Sequence, residues 1–527
     1  MASTLLYPNW ASGKLATPSL ATLPKWKSPQ TIATIPCNNL FSPKLKTSSL
    51  ICSVSSLSLN STDNQFLPTD KVEKEKTPLK ENHSEEEHVK EKQLKDVWKD
   101  IQGCRNWEGL LDPMNPTLRR EIIRYGEFAQ ACYDAFDFDP HSKYCGTCKY
   151  QGAQFFDNLD MQNRGYQISR YLYATSNINL PNFFQKAKIS SVWSKHANWM
   201  GYVAVCTDED EIKRLGRRDI VVSWRGTVTY LEWIHDLKDI LHPACFRGDP
   251  SIKIESGFFD LYTTKEQECH YCSFSAREQL LSEIRRLVRR YDTEDLSITV
   301  TGHSLGAALA LLSAYDIAEM RVNSSSCSEI PITVYSFSGP RVGNLKFKER
   351  CDQLGVKVLR VHNAHDKVPT MPGLLTNEKF KFQKYIEDIS FPWSYAHVGK
   401  ELALDHKKSP FLKSTGDMRC LHNLEALLHL VDGHKGKEEE FEVNERDIAL
   451  VNKDCGFLKE EFDVPPHWRQ DYNKGMVRSR DGRWIFPERP EIEGHPPDTA
   501  HHVQQVLDYV QFEMNSLKEA ITGETKT

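Results

Sequence analysis

Residues 299–318 read TVTGHSLGAALALLSAYDIA: a β-branched run passes through Gly302-His303-Ser304-Leu305-Gly306 into a run of alanine and leucine. The first half has the composition of a strand buried on both faces, and the second is apolar nearly all round, as a helix covering a sheet would be. A chain turning sharply from strand to helix strains the residue at the bend, and neighbours without side chains relieve the crowding. Gly302 and Gly306 supply that relief, so the pattern places the Ser304 hydroxyl above a sheet at the N-terminus of a helix. G-x-S-x-G alone also suits a serine that merely fills a turn. The strand before it and the helix after it are what make Ser304 a candidate nucleophile.

Outward from this turn the pattern alternates. Residues 201–206 (GYVAVC), 219–224 (DIVVSW), 296–302 (LSITVTG), 332–337 (ITVYSF) and 356–362 (VKVLRVH) are short, mostly apolar runs that predict strands. Between them SAREQLLSEIRRLVRRY places Leu280, Ile284, Leu287, Val288 and Tyr291 on one helical face. Upstream, Asn115 and Pro116 predict the cap and first position of a helix carrying Leu118, Ile122, Tyr125 and Ala129. Strands alternating with helices predict an α/β fold, a mostly parallel sheet with helices on both faces.

The ends differ from this body. Residues 1–52 are rich in Ser, Thr, Ala and Lys, contain no Arg, and no Asp or Glu occurs before Asp63. That is the composition of an organelle transit peptide, and the abundance of hydroxyls over arginine favours a chloroplast, in the stroma or at the thylakoid. Residues 53–97 read as a charged linker, 98–490 as the globular domain, and 491–527 as a helical tail around VQQVLDYVQFEMNSL. The net charge of −5 argues against a nucleic-acid partner. No run of about eighteen uncharged apolar residues is present, so any contact with a membrane is expected to be peripheral. The fourteen cysteines form no compact framework, and the pairs Cys145/Cys148 and Cys269/Cys272 read as free thiols before zinc ligands or a redox dithiol.

A serine hydroxyl needs a base, and the base an orienting acid; on such a sheet they follow in the order Ser, acid, His. Asp366, in VHNAHDKVPTMPG just beyond a strand, is the candidate acid, although the same loop would also suit an aspartate that caps a turn. His422 is the candidate base. It opens the helix of HNLEALLHLVDGH, in which Leu421, Leu424, Leu428 and Val431 form an apolar stripe and His422, Glu425 and His429 the other face. His397 is the chief rival among the other histidines, with His429 read as a surface or packing residue. The oxyanion formed on attack needs fixed N–H donors, for which Leu305 and Thr227 are the candidates. The sequence Arg225-Gly226-Thr227 could equally make only a tight turn. This chemistry requires no metal and no organic cofactor. The segment YLEWIHDLKDIL (Tyr230–Leu241) reads either as a lid over the site or as an ordinary amphipathic helix.

With WRGT, GHSLGAA, FSGPRVGN and HDKVP in this order, followed by HNLEALLH, the chain resembles the class 3 lipases of the α/β-hydrolase group. SGFFDLYTTK, FSAREQ and WRQDYNKGMVRSRDGRW extend the resemblance to the plastid class I phospholipase A1 enzymes, over roughly Trp98 to Pro490. Ala307 stands where many such proteins have glycine. The resemblance implies hydrolysis of the sn-1 ester of membrane glycerolipids at the lipid–water interface. Phosphatidylcholine, galactolipids and triacylglycerol are the expected substrates, and free fatty acid and lysolipid the products. An acyltransferase with the same triad and a non-catalytic lipid or hormone binder are the alternative readings.

Overall fold

The computed structural model describes residues 93–485 apart from 139–143, 176–196, 228–240, 245, 247–248, 327, 373–394, 444–445, 469–476 and 479–483. The expected transit peptide, most of the expected linker and the C-terminal tail therefore lie outside the described residues.

A seven-stranded sheet runs in the order β1 (Tyr166–Thr175), β2 (Ala197–Cys206), β3 (Arg218–Trp224), β6 (Leu296–His303), β7 (Ile332–Phe337), β9 (Lys357–Asn363) and β11 (Lys400–Leu404). From β3 to β11 every pairing is parallel, while β2 pairs antiparallel with both β1 and β3. The mostly parallel α/β-hydrolase sheet expected from the sequence is present, with an antiparallel margin at one edge. Four short strands, β4 (Leu241–Pro243), β5 (Lys253–Glu255), β8 (Gly343–Asn344) and β10 (Tyr395–Ala396), form a separate small sheet.

Both faces of the large sheet are covered because its strands alternate apolar side chains between two cores. In β6, Ile298 and Val300 pack with helices α3 (Ala276–Arg290) and α4 (Leu305–Glu319). In β7, Val334 joins that same core, whereas Tyr335 and Phe337 point into the opposite one with Leu118, Ile122, Tyr125 and Phe128 of α2 (Pro116–Asp134). Every residue of α4 is buried, as expected of a central covering helix. The helix starts follow local chemistry: the Asn115 side chain accepts from Leu118 N at 3.0 Å, and Ser275 and Glu278 close a reciprocal capping box on α3.

Three boundaries differ from expectation. Helix α1 (Leu94–Ile101) begins inside the stretch read as linker, because Leu94, Trp98 and Ile101 bury one face of an otherwise charged segment. Leu241, expected at the end of an amphipathic helix, instead opens β4; the rest of that segment, 228–240, lies outside the described residues. The helix expected after Leu421 is two helices, α5 (Met418–Leu421) and α6 (Leu424–Gly433), with His422 at the break between them.

Candidate active site

Ser304 occupies the strand-to-helix bend with φ 62° and ψ −126°, a conformation in which non-glycine residues are strained. The flanking glycines are needed for space. A Cβ on Gly302 would stand 2.3 Å from the Gly306 carbonyl oxygen, and one on Gly306 would stand 2.2 Å from the carbonyl oxygen of Trp224. Leu305 is the first residue of α4, and the first N–H groups of a helix have no partner within it. The sequence motif thus fixes a tight knot in which the serine bend and the end of β3 touch backbone to backbone.

His422 and Asp366 meet: His422 Nδ1 lies 2.6 Å from Asp366 Oδ2, and both side chains are buried. The other oxygen, Asp366 Oδ1, accepts from Val368 N at 2.9 Å. A carboxylate only accepts, so Nδ1 carries the proton and the basic lone pair is on Nε2. The break between α5 and α6 frees the His422 backbone for a further contact. Its carbonyl accepts from His303 Nε2 at 2.8 Å, and the two imidazole rings lie 4.6 Å apart. Because His303 immediately precedes Ser304, this bond ties His422 to the serine bend.

Arg225-Gly226-Thr227 leaves the end of β3 beside the same bend. A Cβ on Gly226 would lie 2.6 Å from the His303 carbonyl oxygen and 2.1 Å from the Tyr133 hydroxyl, so the loop approaches as closely as a backbone can. The buried Arg225 side chain holds the loop from behind: Nε donates to Trp199 O at 3.0 Å and Nη1 to Gly226 O at 2.7 Å, and the guanidinium lies 3.7 Å from the Phe136 ring centre. Burial pushes its pKa down to about 10. Arg225 thus braces this loop, and Thr227, also buried, follows directly.

Two residues that the sequence reading did not single out complete the arrangement. His303 Nε2 must donate to the His422 carbonyl, so its Nδ1 accepts, and the Tyr133 hydroxyl lies 2.8 Å away to donate. Burial, and then the neighbouring His422, hold the His303 pKa well below the ordinary histidine value. A histidine directly before the serine was a visible signal for this role. Nothing marked Tyr133, which lies 170 residues from its partner.

The other histidines are placed elsewhere. His397, near Arg341 and Arg360, has its pKa pushed down to about 2, first by burial. His429 is a packing residue: Nε2 lies 2.9 Å from Ser409 Oγ and the ring packs edge-on against Phe411. The face of α6 that carries Glu425 and His429 is buried as well, with Glu425 paired to Arg446. Among the described residues no two cysteines are joined by a disulfide. Among the described residues, neither close cysteine pair belongs to a group of three side chains able to hold a metal ion.

A strained serine bend on a mostly parallel sheet, next to an imidazole–carboxylate pair, defines an α/β-hydrolase, and residues 221–376 match the family model for lipase (class 3). Phospholipase A1-Igamma3, chloroplastic, of Arabidopsis thaliana is 70% identical over 431 residues, covering 79% of this chain and 82% of that one. Phospholipase A1-Igamma2, chloroplastic, of the same organism is 59% identical, over 80% of this chain and 81% of that one. Galactolipase DONGLE, chloroplastic, also from Arabidopsis thaliana, is 45% identical over 65% of this chain and 70% of that one. The chain belongs to the class I phospholipase A1 family and, within it, to the gamma type.

Proposed function

We propose that the chain is a plastid acylhydrolase that cleaves the sn-1 ester of polar glycerolipids, releasing free fatty acid and lysolipid. The observation that carries this reading is the buried 2.6 Å contact between His422 Nδ1 and Asp366 Oδ2 beside the Ser304 bend. In this mechanism His422 Nε2 takes the Ser304 proton as Oγ attacks the ester carbonyl. Asp366 stabilises the imidazolium that results, and the N–H groups of Thr227 and Leu305 hold the oxyanion. The imidazolium then protonates the departing lysolipid alkoxide, and water, activated by the same nitrogen, hydrolyses the acyl-enzyme. Gly302 and Gly306 keep the bend and the oxyanion loop in register.

Phospholipid and galactolipid are the favoured substrates, by likeness to relatives named as phospholipases A1 and a galactolipase. No helix among the described residues is long and apolar enough to cross a membrane, which fits peripheral contact with a lipid surface at the stroma or thylakoid. The test is to incubate the purified protein and Ser304→Ala with vesicles of phosphatidylcholine, monogalactosyldiacylglycerol or triolein and identify the products. The expected result is fatty acid plus 2-acyl lysolipid, at a rate at least about 10⁴-fold lower for Ser304→Ala. Transfer of the acyl group to an added alcohol in preference to water would make it an acyltransferase, and equal function of the variant would make it a binder.

A further inference from the structure

Directly before the proposed catalytic acid, the loop after β9 carries His365, which faces Asp405 and His406 at the end of β11. One ligating atom from each of these three side chains lies within 4.8 Å of the others, and among the described residues this is the one such group. His365 Nε2 is 3.1 Å from Asp405 Oδ1, His406 Nδ1 is 3.9 Å from the same oxygen, and His406 Nδ1 is 3.4 Å from Asn363 Oδ1. For comparison, tetrahedral zinc with bonds of about 2.0–2.1 Å sets its ligand atoms about 3.3 Å apart.

The orientation of His406 supplies a second observation. Its Nε2 lies 3.2 Å from the Ser414 carbonyl oxygen, which can only accept, so Nε2 carries the proton. The orientation of the Asn363 amide is fixed by its own bonds, Oδ1 accepting from His365 N at 3.2 Å and Nδ2 donating to Leu421 O at 3.4 Å. In a neutral ring Nδ1 therefore meets Asn363 Oδ1 lone pair to lone pair, a contact that a cation between them resolves. The outer bonds are those a metal site needs: the Ser414 carbonyl orients His406, and Lys407 N donates to Asp405 Oδ1 at 2.9 Å. His406 is buried, while the side chains of His365 and Asp405 are 37% and 40% exposed, which leaves a path for an ion to enter.

We infer that His365, Asp405 and His406, with Asn363 Oδ1 closing the fourth position, form a binding site for a divalent transition-metal ion of zinc type. The ion takes no part in ester chemistry. It clamps the loop that presents Asp366 to the end of the neighbouring strand β11, and so holds the acid loop from outside the triad.

The experiment uses the full chain, freed of metal with a chelator and titrated with Co²⁺ and then Zn²⁺ at neutral pH. Binding is followed by the cobalt visible spectrum and by the thermal unfolding midpoint, with wild type, His365→Ala, Asp405→Asn and Ser304→Ala in parallel. The expected result has three parts. One equivalent of Co²⁺ enters a low-symmetry N/O site, without the sulfur-to-cobalt charge-transfer band; the unfolding midpoint rises on adding metal; and affinity falls by more than about 100-fold in His365→Ala, beyond the cost of losing an outer partner. Ser304→Ala binds metal like wild type, so loss of lipolysis and loss of the metal site read out separately. No uptake by wild type, a thiolate band, or equal affinity in His365→Ala would each overturn the site. Asp405→Asn, which keeps the shape of the side chain, guards against unfolding as the cause of loss.

Discussion

Two aspartates are buried at opposite ends of the same parallel sheet and have different fates. Asp219, near the start of β3, is completely enclosed: Oδ2 accepts from the hydroxyls of Tyr125 and Tyr166 at 2.9 Å each, and Oδ1 from Ser297 and Thr299 at 2.6 and 2.8 Å. Asp366, just past the end of β9, accepts from Val368 N and has His422 Nδ1 as the partner of its second oxygen. Four neutral hydroxyls satisfy a carboxylate and leave it nothing to exchange. An imidazole partner makes the carboxylate control which nitrogen of the ring is basic. Burial is shared by the two sites, so burial alone does not mark chemistry; the kind of donor does. The parallel strands connect the two ends: β6 carries Ser297 and Thr299 at its start and Gly302 and His303 at its finish, while β3 carries Asp219 at its start and leads into Arg225-Gly226-Thr227.

If this division is right, the two aspartates fail in different assays. Asp366→Asn should have the largest effect on rate. An amide N–H₂ facing His422 Nδ1 forces the proton onto Nε2, the wrong tautomer, and kcat for fatty-acid release should drop by about 10⁴-fold with the unfolding midpoint in urea little changed. Asp219→Ala should do the reverse. It strips the acceptor from four enclosed hydroxyls and should cost about 3–5 kcal/mol in urea unfolding, while the molecules that remain folded keep kcat near wild type. A large stability loss in Asp366→Asn, or a large kcat loss in folded Asp219→Ala, would break the comparison.

The two ends were also unequally legible in the sequence. The serine bend depends on neighbours in the chain, Gly302 and Gly306 about Ser304, so its residues announce the backbone they need. Asp366 and His422 could be proposed because their order along the chain is limited by the sheet and their motifs resemble a known family. The Asp219 network could not, since all four of its partners lie between 53 and 94 residues away along the chain. Tyr133 was silent for the same reason. Among strands, β1 carries Arg170 and other polar residues within its apolar run, and β11 is a short edge strand with alternate residues exposed, so neither has the continuous apolar pattern of the central strands. The break at His422 did leave a trace. Asn423 caps α6 by accepting from Ala426 N at 2.9 Å, and an Asn before an apolar helical run is the usual sign of a helix start.

A second pair, His422 and His429, sharpens the point on the proposed base. Among the described residues no carboxylate is hydrogen-bonded to His429; its Nε2 lies against Ser409 Oγ, and burial pushes its pKa down to about 4. In the unfolded chain an ordinary histidine titrates near about 6.5, so as pH falls the unfolded state takes the proton first. The stability His429 contributes is complete above about pH 6.5 and drains away down to about pH 4, at roughly 1.4 kcal/mol per pH unit, or about 3 kcal/mol in all. His429→Gln should flatten the pH dependence of urea unfolding across that window by this amount and leave kcat at neutral pH unchanged. An unaltered slope would mean that the ring is not held neutral by burial.

The smallest expected effect tests whether a hydroxyl at the chemical end does anything beyond what the hydroxyls around Asp219 do. Tyr133→Phe removes the donor to His303 Nδ1 and keeps the ring that packs 5.7 Å from the imidazole. The lost bond is worth about 1 kcal/mol. If the Tyr133 hydroxyl is only structural, the loss appears in urea unfolding and kcat stays put. If it fixes the His303 tautomer, Nδ1 becomes free to carry the proton and Nε2 to turn its lone pair on the His422 carbonyl, which loosens the backbone that presents the base. The loss should then appear in kcat, by up to about tenfold, with KM unchanged. Combined with Asp366→Asn, the two changes should be non-additive, because a base already in the wrong tautomer has little left to lose from looser support.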